Sequence, residues 1–250
     1  MNRVADHRRV LQDLYQSVFR YNDFNRDRFI KTIAADTPNG AMVLDAGAGP
    51  CRYRNLFNHC EYRSQDFAKY QGSDHRYGEL DHVCDIVNIP EADETFDVIL
   101  CAEVFEHLPR PDDAVRELSR LLKPGGMLVV TAPQGAGIHM PPYHFYGGFC
   151  PSWYRHFLPM YGLTSISVEA NCGFFKLYGQ ESQRFLTLVT PQSALGRLAF
   201  FPIKAVLALW FRLLVPIVCH FLDRLDVRRD FTAGYFVRAV KLGSSKLRQE

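Results

Sequence analysis

Met42-Val43-Leu44-Asp45-Ala46-Gly47-Ala48-Gly49-Pro50 is the stretch on which the fold of this chain turns. The apolar run from Ala41 to Leu44 has the character of a buried parallel strand. Asp45 ends the run, two glycines one residue apart break it, and a helix is expected from Cys51. Strand, Gly-x-Gly turn and helix together bring backbone N–H groups close to a ligand at the carboxyl end of a sheet. Gly47 and Gly49 would be needed because a side chain cannot be tolerated where a ligand lies against the turn. Taken alone, a Gly-x-Gly fits an ordinary strand-to-helix turn equally well.

Two neighbours narrow the ligand. The third glycine of a dinucleotide fingerprint would fall on Arg52, a side chain too bulky for close pyrophosphate packing. Asp45 would repel a pyrophosphate, but it suits a ligand that carries an amine or a sulfonium.

On either side of this turn the chain alternates strand and helix. Before it, Val10, Leu11, Leu14, Tyr15, Val18 and Phe19 recur at helical spacing, and Phe24, Phe29, Ile30 and Ile33 mark a second helix. After it, Glu61–Asp66 reads as a second strand whose terminal Asp66 lies roughly twenty residues past the glycines, where a carboxylate can accept both ribose hydroxyls. His82–Ile86 reads as a third strand, with Asp85 placed to accept from an adenine amine and Ile86 to pack on the ring. Phe96–Cys101 is a nearly continuous apolar strand and therefore central. Residues 111–122 form a helix with Pro111 at its start, Asp112 and Asp113 in the first turn, and Ala114, Val115, Leu118, Leu121 and Leu122 on one face. Lys123-Pro124-Gly125-Gly126 stops it before a fifth strand, Met127–Thr131. A further helix over 151–161 and a strand over 163–168 follow, and Phe231–Lys241 reads as the last strand. This pattern implies a parallel sheet covered on both faces.

With 250 residues and 47% hydrophobic content, the chain can bury a sizeable core. A formal net charge of +2 does not suggest a broad nucleic-acid surface, so DNA is not expected as a partner and RNA is disfavoured. Seven scattered cysteines without a Cys-x-x-Cys pair suit reduced thiols in the cytoplasm. The N-terminus is charged and helical in pattern, without the apolar region of a signal peptide.

The glycine stretch resembles motif I of the class I S-adenosylmethionine (SAM) methyltransferases. The run from Asp85 to Pro133 is also similar to the most populated branch of that superfamily, the type 11-like branch. It carries Asp85-x-x-x-Ile89-Pro90, Thr95-Phe96-Asp97-Val98-Ile99, Glu106-His107-Leu108 and Leu121-Leu122-Lys123-Pro124-Gly125-Gly126 in order. The resemblance covers about residues 41–133. It implies a doubly wound, seven-stranded Rossmann-like α/β sheet with the last strand antiparallel, and SAM as cofactor. It also implies that Gly47 and Gly49 pass under the methionyl part, with Asp45 near its ammonium. Asp66 would then hold the ribose, Asp85 and Ile86 the adenine, and the chain at Cys101 would flank the sulfonium. Pro50-Cys51 departs slightly from the small or polar residues usual after the turn.

Methyl transfer from a sulfonium is an in-line displacement, and a hydroxyl acceptor needs a base. His107, His139 and His144 are the candidates at the carboxyl edge, with the aromatic, glycine-rich loop 139–149 as a substrate cover. Each has a structural role as its alternative. Glu103, Glu106 and His107 on a helix would share one face and could hold a divalent metal. Glu-x-x-Glu-His also resembles the metal motif of the ubiquinone-pathway O-methyltransferases and the small-RNA 3′-end methyltransferases. Glu-His-Leu is widespread in the branch without a metal, and no metal is assigned. Asn171–Tyr178 is read either as part of the acceptor mouth or as loop packed on the core.

Residues 198–222 are the most apolar in the chain. Lys204 and Arg212 within them, Pro202 and Pro216, and a core strand still to come all oppose a membrane crossing. An interfacial hairpin is expected instead, with Ile203, Val206, Leu207, Trp210 and Leu214 on one face. Arg197, Lys204, Arg212, Arg224, Arg228 and Arg229 would be available to anionic headgroups. A buried cap or a dimer surface is the alternative.

The organisation expected is an N-terminal helical cap over 1–40, a SAM-binding core over 41–190, an apolar helical insert over 191–230, and the last strand with a tail over 231–250. The activity expected is SAM-dependent O-methylation of a small, lipid-linked or glycan acceptor, by a cytoplasmic protein peripheral to the inner face of a membrane. Rivals are an RNA-directed methyltransferase and a non-catalytic SAM-binding partner protein.

Overall fold

The computed structural model describes residues 3–73 and 76–243, so the end of the expected C-terminal tail lies outside the described residues. The chain divides into two compact units. One takes the chain up to Asp27 together with Ala170–Ala233, and the other takes Arg28–Glu169 with the chain from Gly234.

The second unit carries a seven-stranded sheet. In chain order its strands are β1 (Met42–Ala46), β2 (Glu61–Asp66), β3 (His82–Val83), β4 (Phe96–Ala102), β5 (Leu122–Pro133), β6 (Leu163–Ala170) and β7 (Gly234–Lys241). They lie side by side as β3-β2-β1-β4-β5-β7-β6. β1 pairs in parallel with β2 and β4, and β4 pairs in parallel with β5. β7 runs antiparallel to β5, with Val130 opposite Val237. The chain reverses direction across the sheet at β1 and β4, which concentrates strand ends, and the loops that follow them, at one edge.

Burial explains why β1 and β4 are central. Val43, Leu44, Ile99 and Leu100 are fully enclosed, as expected for strands covered on both faces. α1 (Arg3–Phe19) and α2 (Tyr21–Asp36) precede the sheet. On one face, Ile30, Ile33 and Ala34 of α2 pack on Val43, Val98, Leu100 and Val129. α3 (Pro111–Leu121) opens with proline and two aspartates and buries Ala114, Val115, Leu118 and Leu121 completely. At the foot of β4, Asp97 accepts from Met42 N–H and from Lys123 Nζ, both at 2.8 Å, which holds its carboxyl below the usual range.

Three local expectations change. No α-helix starts at Cys51. That residue adopts φ +54°, which cannot propagate a right-handed helix, and only a 3-10 turn, Arg54–Phe57, follows. β3 ends at Val83, so Asp85 lies beyond it in an exposed irregular segment. Lys123–Gly126 belongs to the opening of β5, beside a register shift on β4, instead of forming a separate loop.

The first unit is helical over its described residues. α4 (Phe174–Ser182) starts after Gly173, which has no capping side chain, and Asp223 and Asp226 replace one. Asp223 accepts from the N–H groups of Gly173 and Lys176 (2.9 Å to the latter), and Asp226 from that of Phe174 at 2.7 Å. Buried Asn171 bonds to Asn22 Oδ1 at 2.6 Å and to Asn25 at 2.9 Å. Within this unit, therefore, Asn171 is packed and residues 174–178 are helical, where a loop is the expected alternative to an acceptor mouth.

The expected hairpin over 198–222 is absent. The segment is a continuous helical run, Ala194–Leu225, of 32 residues. It is α-helical over Ala194–Ala208 (α5), widens to a π-turn over Leu209–Leu214, and is α-helical again over Val215–Leu222 (α6). The π-turn sits just before Pro216, where a ring without an N–H would clash with a regular helical turn. The Phe211 carbonyl left open there lies 3.0 Å from the Ser182 hydroxyl. The chain thus continues through both prolines without a turn.

Candidate active site

The site builds outward from the end of β1. Gly47 (φ +76°) and Gly49 (φ +50°) both occupy the left-handed region. Gln65 clamps the turn: its carbonyl accepts from Gly47 N–H at 2.8 Å and from Ala48 N–H at 2.9 Å, and its side-chain amide donates to the Cys84 carbonyl at 2.6 Å. A Cβ at Gly47 would fall 2.4 Å from Cγ2 of Val104. The turn therefore needs glycine because the chain after β4 packs on it, a reason additional to ligand approach.

Asp45 is 2% exposed, and burial pushes its carboxyl up to about 6. Tyr62 Oη donates to Asp45 Oδ2 at 2.5 Å and opposes that rise, while nearby Asp66 reinforces it. Burial and the adjacent carboxylate drive the Tyr62 phenol far up, so it remains a donor. A buried carboxylate in this condition is short of positive charge, and an ammonium or sulfonium group would supply it.

Asp66, at the end of β2, accepts from Gly49 N–H at 2.9 Å through Oδ2 and from Ala68 N–H at 3.0 Å through Oδ1. Each carboxylate oxygen keeps a second acceptor site, so two neighbouring hydroxyls can still be held. Asp85 is exposed, with Oδ1 3.2 Å from Val87 N–H, whereas Ile86 is buried. Cys101 is enclosed within β4, and burial pushes its thiol well up, so the chain there contributes backbone, not a thiolate. The donor set at the turn suits a cationic nucleoside, with a carboxylate for the cation and another for the sugar.

The three histidines come together. Ring centroids are 4.8 Å apart for His107 and His139, 6.0 Å for His107 and His144, and 4.6 Å for His139 and His144. Phe145 and Tyr146 N–H groups both donate to the Glu106 carbonyl, at 2.9 and 3.2 Å, which pins the 139–149 loop to the chain after β4. Tyr143 of the same loop meets Phe67, the residue after Asp66, edge to face at 4.9 Å. The loop thus covers the carboxyl edge between the β2 and β4 ends.

The expected helical face of Glu103, Glu106 and His107 does not form. Glu103 has φ +56° and accepts from Thr131 Oγ1 at 2.9 Å. Glu106 is buried, and Phe105–His107 is a single 3-10 turn. The i, i+3, i+4 arrangement requires an α-helix that the chain never enters.

Sequence reasoning passed over Tyr62, Gln65 and Val104. All three are ordinary strand or loop residues by pattern, and their roles exist only through pairing of β2 and β4 with β1.

Residues 44–130 match the family model for the methyltransferase domain. A methyltransferase of uncharacterized activity from Mycobacterium bovis is 29% identical over 158 residues, covering 52% of this chain and 61% of that protein. A tRNA (carboxymethyluridine(34)-5-O)-methyltransferase from Arabidopsis thaliana is 34% identical over 119 residues, covering 43% of this chain and 29% of the other. The chain therefore spans about three fifths of the mycobacterial relative and less of the plant one. Among solved structures, a SAM-dependent methyltransferase from Archaeoglobus fulgidus shares the fold with TM-score 0.53 and 15% identity, covering 91% of this chain and 98% of that one.

Proposed function

We propose that the chain is a class I SAM-dependent methyltransferase that methylates an oxygen of a small, lipid-linked or glycan acceptor met at a membrane surface, a reading supported by the methyltransferase-domain match and the mycobacterial relative. Bound SAM supplies an electrophilic methyl group. The chain's own task is to hold and align: Asp45 would face the ammonium, Asp66 the ribose hydroxyls, and Asp85 and Ile86 the adenine, with the backbone at Cys101 beside the sulfur. His107, His139 and His144 would manage the acceptor proton under the 139–149 loop. Burial and the neighbouring His139 push the His144 imidazole down, which keeps it neutral.

The observation that carries the oxygen assignment is the convergence of three imidazoles on the edge that holds the glycine turn. The membrane surface draws support from the long helix. Leu198 is 73% exposed, Phe201 70%, Val206 67% and Trp210 54%. Among the described residues it is one helix long and apolar enough to cross a membrane by length and composition. At about 48 Å it exceeds the ~30 Å hydrocarbon core, and it carries exposed Arg197 and Arg212, so we favour a position in the interface at the cytoplasmic leaflet. Incubation of the protein with methyl-labelled SAM and a native lipid and metabolite extract tests the acceptor. Label in an organic-soluble or glycan fraction is expected, and label confined to RNA would overturn it.

The activity named for the plant relative favours a second reading, methylation of RNA. The near-neutral net charge of +2 opposes it. Tight, salt-sensitive binding of transfer RNA would establish it.

A further inference from the structure

We propose that His107, His139 and His144 bind a single divalent transition-metal cation of the zinc class. Each residue offers one ring nitrogen, and the three nitrogens lie within 4.8 Å of one another. His107 comes from the turn after β4, and the other two come from the loop after β5, so the cluster joins segments distant in sequence.

The rings are oriented as ligands are. His107 Nδ1 lies 2.5 Å from the Tyr143 carbonyl, and His139 Nδ1 lies 2.9 Å from the Gly137 carbonyl. A carbonyl can only accept, so Nδ1 carries the proton in both rings and Nε2 carries the lone pair. Backbone carbonyls on the far nitrogen are the usual outer partners of metal-bound histidines. Nδ1 of His144 is buried without a hydrogen-bond partner among the described residues, and a coordinate bond would satisfy it. Glu106 is buried with Oε1 3.8 Å from His107 Nε2, and its negative charge would offset part of the cation's.

The donor set selects the ion. Three imidazoles suit zinc, cobalt, nickel or copper, and they do not suit magnesium or calcium, which take oxygen ligands. Tetrahedral zinc holds its nitrogens at ~2.0–2.1 Å, which places them ~3.4 Å from one another. The cluster must therefore draw in by roughly an ångström, a movement available to a loop outside the buried core. Three protein ligands leave a fourth position open to an oxygen ligand, as in catalytic rather than structural sites. If the proposed methyl transfer holds, an acceptor hydroxyl in that position would be acidified by the ion, and the three imidazoles would act on its proton through the cation they hold. The site stands on this geometry and is independent of methyl transfer.

Cobalt(II) titrated into the untagged, full-length protein tests it. The expected result is tetrahedral ligand-field absorption in the visible that saturates at one equivalent and is displaced by zinc. Because the chain has seven cysteines, the near ultraviolet must also lack a thiolate-to-cobalt charge-transfer band. His139→Ala and His144→Ala should each weaken cobalt by more than the roughly 10–100-fold of a lost outer partner, with circular dichroism unchanged. Absence of the visible bands at equimolar cobalt, a thiolate band, or wild-type affinity in both variants would overturn the site. SAM affinity measured on the same samples separates the two proposals: loss of one binding event leaves the other standing.

Discussion

Tyr62 Oη donates to Asp45 Oδ2 across 2.5 Å, joining β2 to the residue that ends the hydrophobic part of β1. The contact sets the charge on a buried carboxylate whose titration lies at about 6. Removing it as Tyr62→Phe should raise that value further and leave less carboxylate at neutral pH. SAM affinity at pH 7 should fall about 3–10-fold, with its pH midpoint displaced upward. Calorimetry from pH 5.5 to 8.5 reads both effects, and an unchanged midpoint would mean that Asp45 does not govern binding.

Asp45 itself should show opposite effects on stability and binding. Its folded value of about 6 lies above the unfolded 3.8, so the folded state holds more protons across that window. The corresponding stability is full below the unfolded value and is lost as pH rises through about 6. Asp45→Asn should therefore stabilise the ligand-free protein at pH 7.5 by on the order of 2 kcal/mol, with the gain fading toward pH 4. The same variant should lose most SAM binding. Thermal melts at the two pH values check this, and equal destabilisation at both would contradict it.

Gly47→Ala would place a methyl group 2.4 Å from Val104 Cγ2 at a backbone φ of +76°. A cost of ~1–3 kcal/mol is expected. Adding Val104→Ala should recover part of it, because the clash is relieved and the backbone strain is not. Urea denaturation of the two variants is the check; no recovery would place the whole cost in the backbone.

Asp66→Ala removes the acceptor of Gly49 N–H as well as the proposed ribose ligand. SAM affinity should drop at least ~10-fold, as for loss of a hydrogen-bonded charge. Unchanged affinity by calorimetry would remove Asp66 from the site.

Changing Val206, Trp210 and Leu214 to glutamine should release the protein from phosphatidylserine vesicles while its melting temperature holds, since all three are exposed. A variant that unfolds, beside a wild type that never binds vesicles, would assign the helix to a protein contact.

The strand frame was legible because its signals are local. Apolar runs at Met42–Leu44 and Phe96–Cys101, and the acid ending β2, announce buried strands and their carboxyl ends. Cys51 misled because a single residue in the left-handed region stops a helix that propensity would allow. The hairpin failed for a related reason: Pro216 suggests a break, but a π-turn and the Ser182 hydroxyl absorb the missing donor. The convergence of His107 with His139 and His144 was invisible as geometry, because it depends on the 139–149 loop folding back onto the Glu106 carbonyl. Residue type nominated each histidine, and tertiary structure joined them.

The central claim is that the edge formed by Asp45, Gly47, Gly49 and Asp66 holds SAM. Isothermal titration of SAM into the purified full-length protein, above and below pH 6, tests it most directly. One site per chain, with affinity that weakens as Asp45 protonates, is the predicted result. No heat of binding at either pH, together with an unmoved melting temperature at saturating SAM, would contradict it.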